Sequence, residues 1–244
     1  VAHVVTLGFL AIWSVIGLYA PSYLLPSPWL VAERMVEFVA NPHMWVHVGV
    51  SFGHIFISVL ASIVIGGVLA IMAHYVPVLR LAVHGRICPF LNSFAGTGWV
   101  LLAILWFGLT DFTVIFAIAM VLIPFAIINT RHGLESIDPE IVEMAHSFGR
   151  GVWVRFRLIV LPALTPFVFS TLRICFGVAW KAALTAELFG GDAGFGHLFN
   201  LARQDYDTPL VLVIITLMIA AVYAIDRYIF EPVQSWLSAH YEFA

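Results

Sequence analysis

The chain has 244 residues, 62% of them hydrophobic and 10% charged, against roughly 45–50% and 25% in a soluble domain. Eleven basic and fourteen acidic side chains are too few to coat a water-soluble globule of this size, so lipid is the expected solvent, and a disordered chain, a nucleic-acid-binding arm and an ordinary soluble enzyme are excluded. The net charge of -3 points to no strongly charged macromolecular partner.

A membrane helix needs about 20 mostly apolar residues, because every backbone polar group must be paired within it. Six stretches qualify, at about 4–20, 50–76, 89–109, 113–128, 161–188 and 210–229. The first lacks preceding Lys or Arg and a following A-x-A site, so it reads as a retained membrane helix rather than a signal peptide. A loop with Pro21, Pro26 and Pro28 follows, then a short amphipathic stretch, Leu30 to Val39, with Glu33, Arg34 and Glu37. The second stretch is interrupted only by Gly66-Gly67 and a few small polar residues. The third and fourth are separated only by a turn around Gly108 and Asp111, so they form a hairpin, and the fourth is expected to end near Pro124. Residues 129–160 are the longest polar segment, with a helix start at Asp138-Pro139 and acidic Glu140 and Glu143 in the opening turns. Residues 189–208 are rich in Gly and Asp and read as a loop. The whole chain, residues 1–244, reads as one membrane domain.

Arginine placement sets the orientation. Arg80, Arg86, Arg131, Arg150, Arg155, Arg157 and Arg227 fall on one side, against Arg34 and Arg203 on the other. With six helices, that puts both termini and the 129–160 segment in the cytoplasm, and 189–208 outside.

The long cytoplasmic segment carries the most specific pattern: Glu143-Met-Ala145-His-Ser-Phe-Gly149, nine residues, then Ile159-Val-Leu161-Pro162. It resembles the E-A-A-x3-G-x9-I-x-L-P signature of ABC importer permeases, with Met144 in place of the first Ala. Gly149 permits the positive φ that ends a helix, and Pro162 suits a first helical turn. The resemblance extends over most of the chain and is to the nitrate/sulfonate/taurine branch, through Pro26-Ser-Pro28, Trp106-Phe-Gly108, Asn129-Thr130 with Gly133, Trp180, Ala186-Glu187 and Gly194-Phe-Gly196. It departs at His197-Leu198, where a more apolar pair is usual, and at Asn92-Ser-Phe-Ala-Gly96, where a proline-rich segment is usual.

The resemblance implies an all-α permease of six transmembrane helices with a cytoplasmic coupling helix in the loop at about 131–160, of the type I importer kind. Glu143, Ala145, His146 and Gly149 would dock on a cytoplasmic ATPase dimer. A second copy of the permease, a homodimer, would complete the path, and a periplasmic or lipoprotein solute-binding protein would deliver the solute. The setting would be a bacterial inner membrane, with lipid around the chain. ATP and Mg²⁺ would belong to the partner ATPase, with no cofactor, catalytic residue or metal in this chain. Residue chemistry agrees on one point. Of the basic residues only Lys181 is a lysine, and it sits between Trp180 and Ala182, so the Gly-x4-Gly-Lys-Ser/Thr phosphate loop does not occur.

Ions inside a membrane segment are costly and point to function. In the fifth segment Arg173, Trp180 and Glu187 are spaced by seven and share a helix face, with Lys181 about 80° away. These four are the candidate path residues, with snorkelling Arg173 and a boundary Glu187 as the alternative. His43, His47 and His54 fall near one face without an evident third strong ligand and second shell, and read as interfacial. His132 and His146 flank the coupling helix. Gly49 and Gly53 form a G-x3-G spacing suited to close helix packing. Cys88 and Cys175 read as buried free thiols. An ion-coupled transporter would show internal duplication and midplane carboxylates, and a membrane enzyme would show clustered catalytic groups. Neither pattern is present in the sequence.

Overall fold

The structure, a computed structural model, describes residues 8, 12–17, 19, 21, 24–138, 143, 154 and 156–241, with the backbone alone for 238–241. No strand occurs among them. Residues 12–17 are helical and are tied to the next loop by Trp13 Nε1–H, which donates to Pro26 O at 3.0 Å. The rest of the first expected span lies largely outside the described residues.

Helix α1 (Pro28–Ala40) is capped by Ser27, whose Oγ accepts from Leu30 N, with proline at the first position. Asn41 ends it and caps α2 (Pro42–Tyr75) in turn, accepting from His43 N. With 34 residues, α2 is about 51 Å long, well over the roughly 30 Å hydrocarbon core, so one end projects beyond it. Next come α3 (Pro77–Ala82), a π-helical turn at Val83–Ile87, α4 (Cys88–Ser93), α5 (Gly96–Phe107) and α6 (Asp111–Glu135). After the coupling segment a π-helical turn at Phe156–Val160 leads into α7 (Leu161–Gly190). A short α8 (Phe195–Gln204) precedes α9 (Thr208–Ile225), which runs through a π-helical turn at Asp226–Phe230 into α10 (Glu231–Tyr241).

By length and hydropathy, four described helical spans suit a membrane: Pro42–Tyr75, Asp111–Glu135, Phe156–Gly190 and Thr208–Leu237. A fifth arises if the pair Pro77–Ser93 and Gly96–Phe107, bent by 89°, is one span. That bend corrects the expectation of a continuous third helix over 89–109. The chain breaks at Phe94-Ala95, where Phe94 stacks edge-on against Trp99 with centroids 4.9 Å apart. Its ring occupies the space a Cβ on Gly98 would need, at 2.7 Å.

Prolines shape the helices differently from the sequence expectation. Pro124 lies inside α6, which continues to Glu135 instead of stopping. The three described π-helical turns each end two residues before a proline, Pro89, Pro162 and Pro232. A proline ring inside a helix clashes with the carbonyl four residues back. Here those carbonyls belong to Gly85, Leu158 and Tyr228, each in the middle of a π-helical turn, so widening the turn accommodates the ring without breaking the helix. Hence α7 does not start at Pro162 but continues a helix from Phe156.

The core centres on α6, which packs most extensively against α2 and α7. Its buried side includes Val114, Ala117, Ile118, Leu122, Ile123 and Ile127. The close approach of α2 to α6 is at Gly66, where an added Cβ would lie 2.6 Å from Ala126 Cβ. Gly49 and Gly53 have nothing within 4 Å, so the G-x3-G spacing makes no close contact among the described residues. The hairpin around Gly108 stands, with φ +71 at that glycine and Thr113 Oγ1–H donating to Gly108 O at 2.6 Å.

Candidate functional site

The four candidate path residues occupy different settings on α7. Trp180 and Glu187 lie on its buried side, 2% and 1% exposed. The Trp180 ring packs against Phe52, Phe176 and Phe195, and its indole N–H has no hydrogen-bond partner among the described residues. Arg173 sits toward the start of α7, its side chain 34% exposed. It forks onto Asp226, with Nε to Oδ1 at 2.7 Å and Nη2 to Oδ2 at 2.9 Å, and also donates to Gln234 Oε1. This pairing fastens α7 to the π-helical turn before α10.

Lys181 lies on the open side of α7. It lines a cavity of about 400 Å³ between α5, α6 and α7, with Ala95, Gly96, Thr97, Val121 and Thr185 among the other walls. A second cavity of about 550 Å³, mostly apolar, lies on its other side between α7 and α9. Among the described residues no acidic side chain pairs with Lys181. The break at Phe94-Ala95 borders the first cavity, through Ala95 and Gly96.

Glu187 is the centre of a buried polar cluster. Its Oε2 accepts from Ser51 Oγ–H at 2.8 Å and from Gly196 N–H at 2.9 Å, and its Oε1 faces His54 Nδ1 at 3.0 Å. His54 Nε2 in turn faces Asp111 Oδ1 at 3.2 Å. Three successive backbone N–H groups at the start of α8 are caught by side chains: Gly194 by His47 Nδ1 at 3.1 Å, Phe195 by Ser51 Oγ at 2.7 Å, and Gly196 by Glu187. These are the orphan donors of a helix N-terminus, and a carboxylate beside them also complements the helix dipole.

The geometry accounts for Gly194-Phe-Gly196. Gly194 has φ +106, and a Cβ there would lie 2.4 Å from Glu187 Cδ. A Cβ on Gly196 would lie 2.5 Å from Leu184 O. His197 stacks on His47 with centroids 6.0 Å apart and hydrogen-bonds Gly191 O through Nδ1 at 3.3 Å.

The sequence reading did not find Ser51 and His54 as partners of Glu187, Asp111 as the second partner of His54, or α8 itself. A signal for the α2 residues and for α8 was present. His47, Ser51 and His54 recur at i, i+4 and i+7 on α2, and Phe195, Leu198, Phe199 and Ala202 recur at helical spacing within a segment read as loop. Among the described residues no group of three or more His, Cys, Asp or Glu is arranged to hold a metal ion. Cys88 and Cys175 are free and buried. In the coupling segment Glu143 is helical and exposed. Ala145, His146 and Gly149 lie outside the described residues.

Residues 3–232 match the family described as binding-protein-dependent transport system inner membrane component. The aliphatic sulfonates transport permease protein of Escherichia coli K12 is 28% identical over 228 residues, covering 86% of this chain and 80% of that protein. The riboflavin transport system permease protein of Chloroflexus aurantiacus is 28% identical, covering 79% and 72%. The taurine transport system permease protein of E. coli K12 is 25% identical, covering 82% and 74%. In fold, a chain of the inward-facing MetNI methionine ABC transporter superposes with TM-score 0.70 at 15% identity, over 80% of this chain and 97% of that one. The chain belongs to the binding-protein-dependent transport system inner membrane components and is a multi-pass permease subunit of an ABC importer whose ATPase is a separate chain.

Proposed function

We propose that this permease carries a small anionic or polar organic solute inward and that Lys181 is the cationic group in its path. The observation that supports this is the setting of Lys181: the one lysine of the chain, on a membrane helix, without an acidic partner among the described residues, on a cavity of about 400 Å³ that also presents Thr97 and Thr185. An ammonium at membrane depth is expensive, and two hydroxyls beside it suit a hydrated or anionic occupant. Aliphatic sulfonates and taurine, named for two relatives, carry an anionic sulfonate group of fitting size. Arg173 ties the middle of α7 to Asp226, Glu187 holds its far end to α8, and Trp180 backs the wall behind Lys181.

In the same reading residues 1–244 act as one permease domain, and two identical copies close the path between them in a bacterial inner membrane. Both termini and the coupling segment face the cytoplasm. An ATPase dimer carrying ATP and Mg²⁺ docks through Glu143, Ala145, His146 and Gly149, and an external solute-binding protein meets the face formed by 189–208.

The test uses vesicles holding the permease with its ATPase and solute-binding protein, offered taurine, an alkanesulfonate and riboflavin in turn. ATP-dependent uptake of a sulfonate is expected. Lys181→Met is expected to reduce it by about tenfold or more, the equivalent of one charge-assisted hydrogen bond, with ATPase co-purification unchanged. Normal uptake by Lys181→Met removes Lys181 from the path, and uptake of riboflavin alone overturns the anionic reading.

A further inference from the structure

His54 stands between two carboxylates, and that fixes a proton count. A neutral imidazole has one N–H donor and one lone pair. Here Nδ1 lies 3.0 Å from Glu187 Oε1 and Nε2 lies 3.2 Å from Asp111 Oδ1. If both carboxylates are ionised and the ring is neutral, one ring nitrogen turns a lone pair on a carboxylate oxygen. Both contacts are hydrogen bonds only when the trio holds one more proton, either as an imidazolium or on one carboxyl. The remaining partners of Glu187 cannot replace that hydrogen, because Ser51 Oγ–H and Gly196 N–H both go to Oε2.

The trio also spans the bundle. His54 is on α2, Asp111 is the first residue of α6, Glu187 is near the end of α7, and Glu187 holds the start of α8. The two ends differ in access: the Glu187 side chain is 1% exposed and that of Asp111 68%. The proton therefore has a route from water to the buried carboxylate through Asp111 and His54. Among the described residues no other titratable side chain pairs with His54. His47 on α2 lies within electrostatic reach of Glu187 and faces His197 on α8.

We infer that Asp111, His54 and Glu187 form a one-proton latch, with His54 as its positioning residue, that fastens α8 to α2, α6 and α7 in the transport cycle. With the proton in place Glu187 is held square to the α8 N-terminus. Without it the neutral ring donates to only one of the two carboxylates and turns a lone pair on the other, so the join of α2 with α6 and α7 on which the α8 N-terminus rests loosens. That this end faces outward, so that the latch governs the surface offered to the solute-binding protein, rests on the orientation given under Proposed function.

The test needs no solute. The permease, in complex with its ATPase in lipid nanodiscs, carries spin labels at Arg203→Cys on α8 and Val46→Cys on α2. Both positions are exposed, and the native Cys88 and Cys175 are replaced by alanine. Label separation is measured by pulsed electron paramagnetic resonance from about pH 6 to about pH 9, the range in which histidine chemistry is read. In the otherwise unchanged protein a longer-distance population is expected to grow as pH rises, its ratio to the short one changing by up to about tenfold per pH unit for a single proton.

Asp111→Asn and Glu187→Gln supply an amide N–H where the hydrogen was missing, so both should keep the short distance across the range. His54→Phe should show the long population at every pH. A pH-independent distribution in the unchanged protein, or an Asp111→Asn variant that opens as that protein does, overturns the latch. Asp111 is largely exposed, so its amide variant folds irrespective of the buried partners. Both membrane faces see one pH in a nanodisc, so an inverted orientation leaves this result intact and shows only as failure of solute-binding protein to dock on the α8 face.

Discussion

Replacing Gly196 by alanine isolates the contact between α7 and α8. The added methyl would stand 2.5 Å from Leu184 O, 2.6 Å from Glu187 Cβ and 2.7 Å from Leu188 N. Two of these atoms are α7 backbone, so no side chain can swing aside. Restoring ordinary contact near 3.5 Å requires α8 to back away by about 1 Å. The Gly196 N–H to Glu187 bond, now 2.9 Å, and the Phe195 N–H to Ser51 bond, now 2.7 Å, would then exceed the length at which such bonds hold. A bond to a charged acceptor contributes about 1.5–3 kcal/mol and a neutral one about 0.5–1.5 kcal/mol, partly offset by the better helix propensity of alanine. The net destabilisation is about 1–4 kcal/mol, a fall in Tm of roughly 2–16 °C for a chain of this size. The assay is thermal unfolding of the detergent-solubilised permease, with Gly177→Ala as the control, since nothing lies within 4 Å of a Cβ there. The control should be neutral or raise stability by up to about 1 kcal/mol. If Gly196→Ala unfolds within about 2 °C of the unchanged protein, α8 is not held in the way described.

Gly66→Ala places a Cβ 2.6 Å from Ala126 Cβ, whereas Gly67→Ala meets only Thr130 Oγ1 at 3.9 Å. The first should lower thermal stability by about 1–3 kcal/mol and the second should leave it unchanged or raise it slightly; equal effects would refute the close packing of α2 on α6. Glu143→Arg combined with Gly149→Trp should abolish co-purification of the ATPase while the permease still inserts in the membrane. Undiminished recovery of the ATPase would refute the coupling-helix assignment.

Much of the fold was legible because its determinants are local. Apolar length marks a span; the caps at Ser27-Pro28, Asn41-Pro42 and Thr110-Asp111 are local as well, but the sequence reading did not use them and began the second span at about residue 50 instead of at Pro42. The family is written in Glu143 to Pro162, a contiguous signature. The misreadings have local causes too. Pro124 and Pro162 look like helix ends in isolation, yet the helices run through them, the second by widening the preceding turn. The third span looked continuous because Asn92 to Gly96 is short and bounded by apolar residues; only the packing of Phe94 on Gly98 and Trp99 shows why the chain turns by 89° there.

The site divides along the same line. The sequence by itself determined that lipid is the solvent, that a cytoplasmic-type signature is present, that no phosphate loop exists in this chain, and that α7 carries three ions. These are properties of composition and of residues a few positions apart. Only the tertiary structure decided what those ions do. Helical spacing put Arg173 with Glu187, but one forks onto Asp226 near the protein surface while the other is sealed among Ser51, His54 and Gly196. Ser51 and His54 lie 136 and 133 residues from Glu187 in the chain. No short-range pattern encodes such a pairing, because it exists only once α2 and α7 have packed on α6 and α8 has closed over the end.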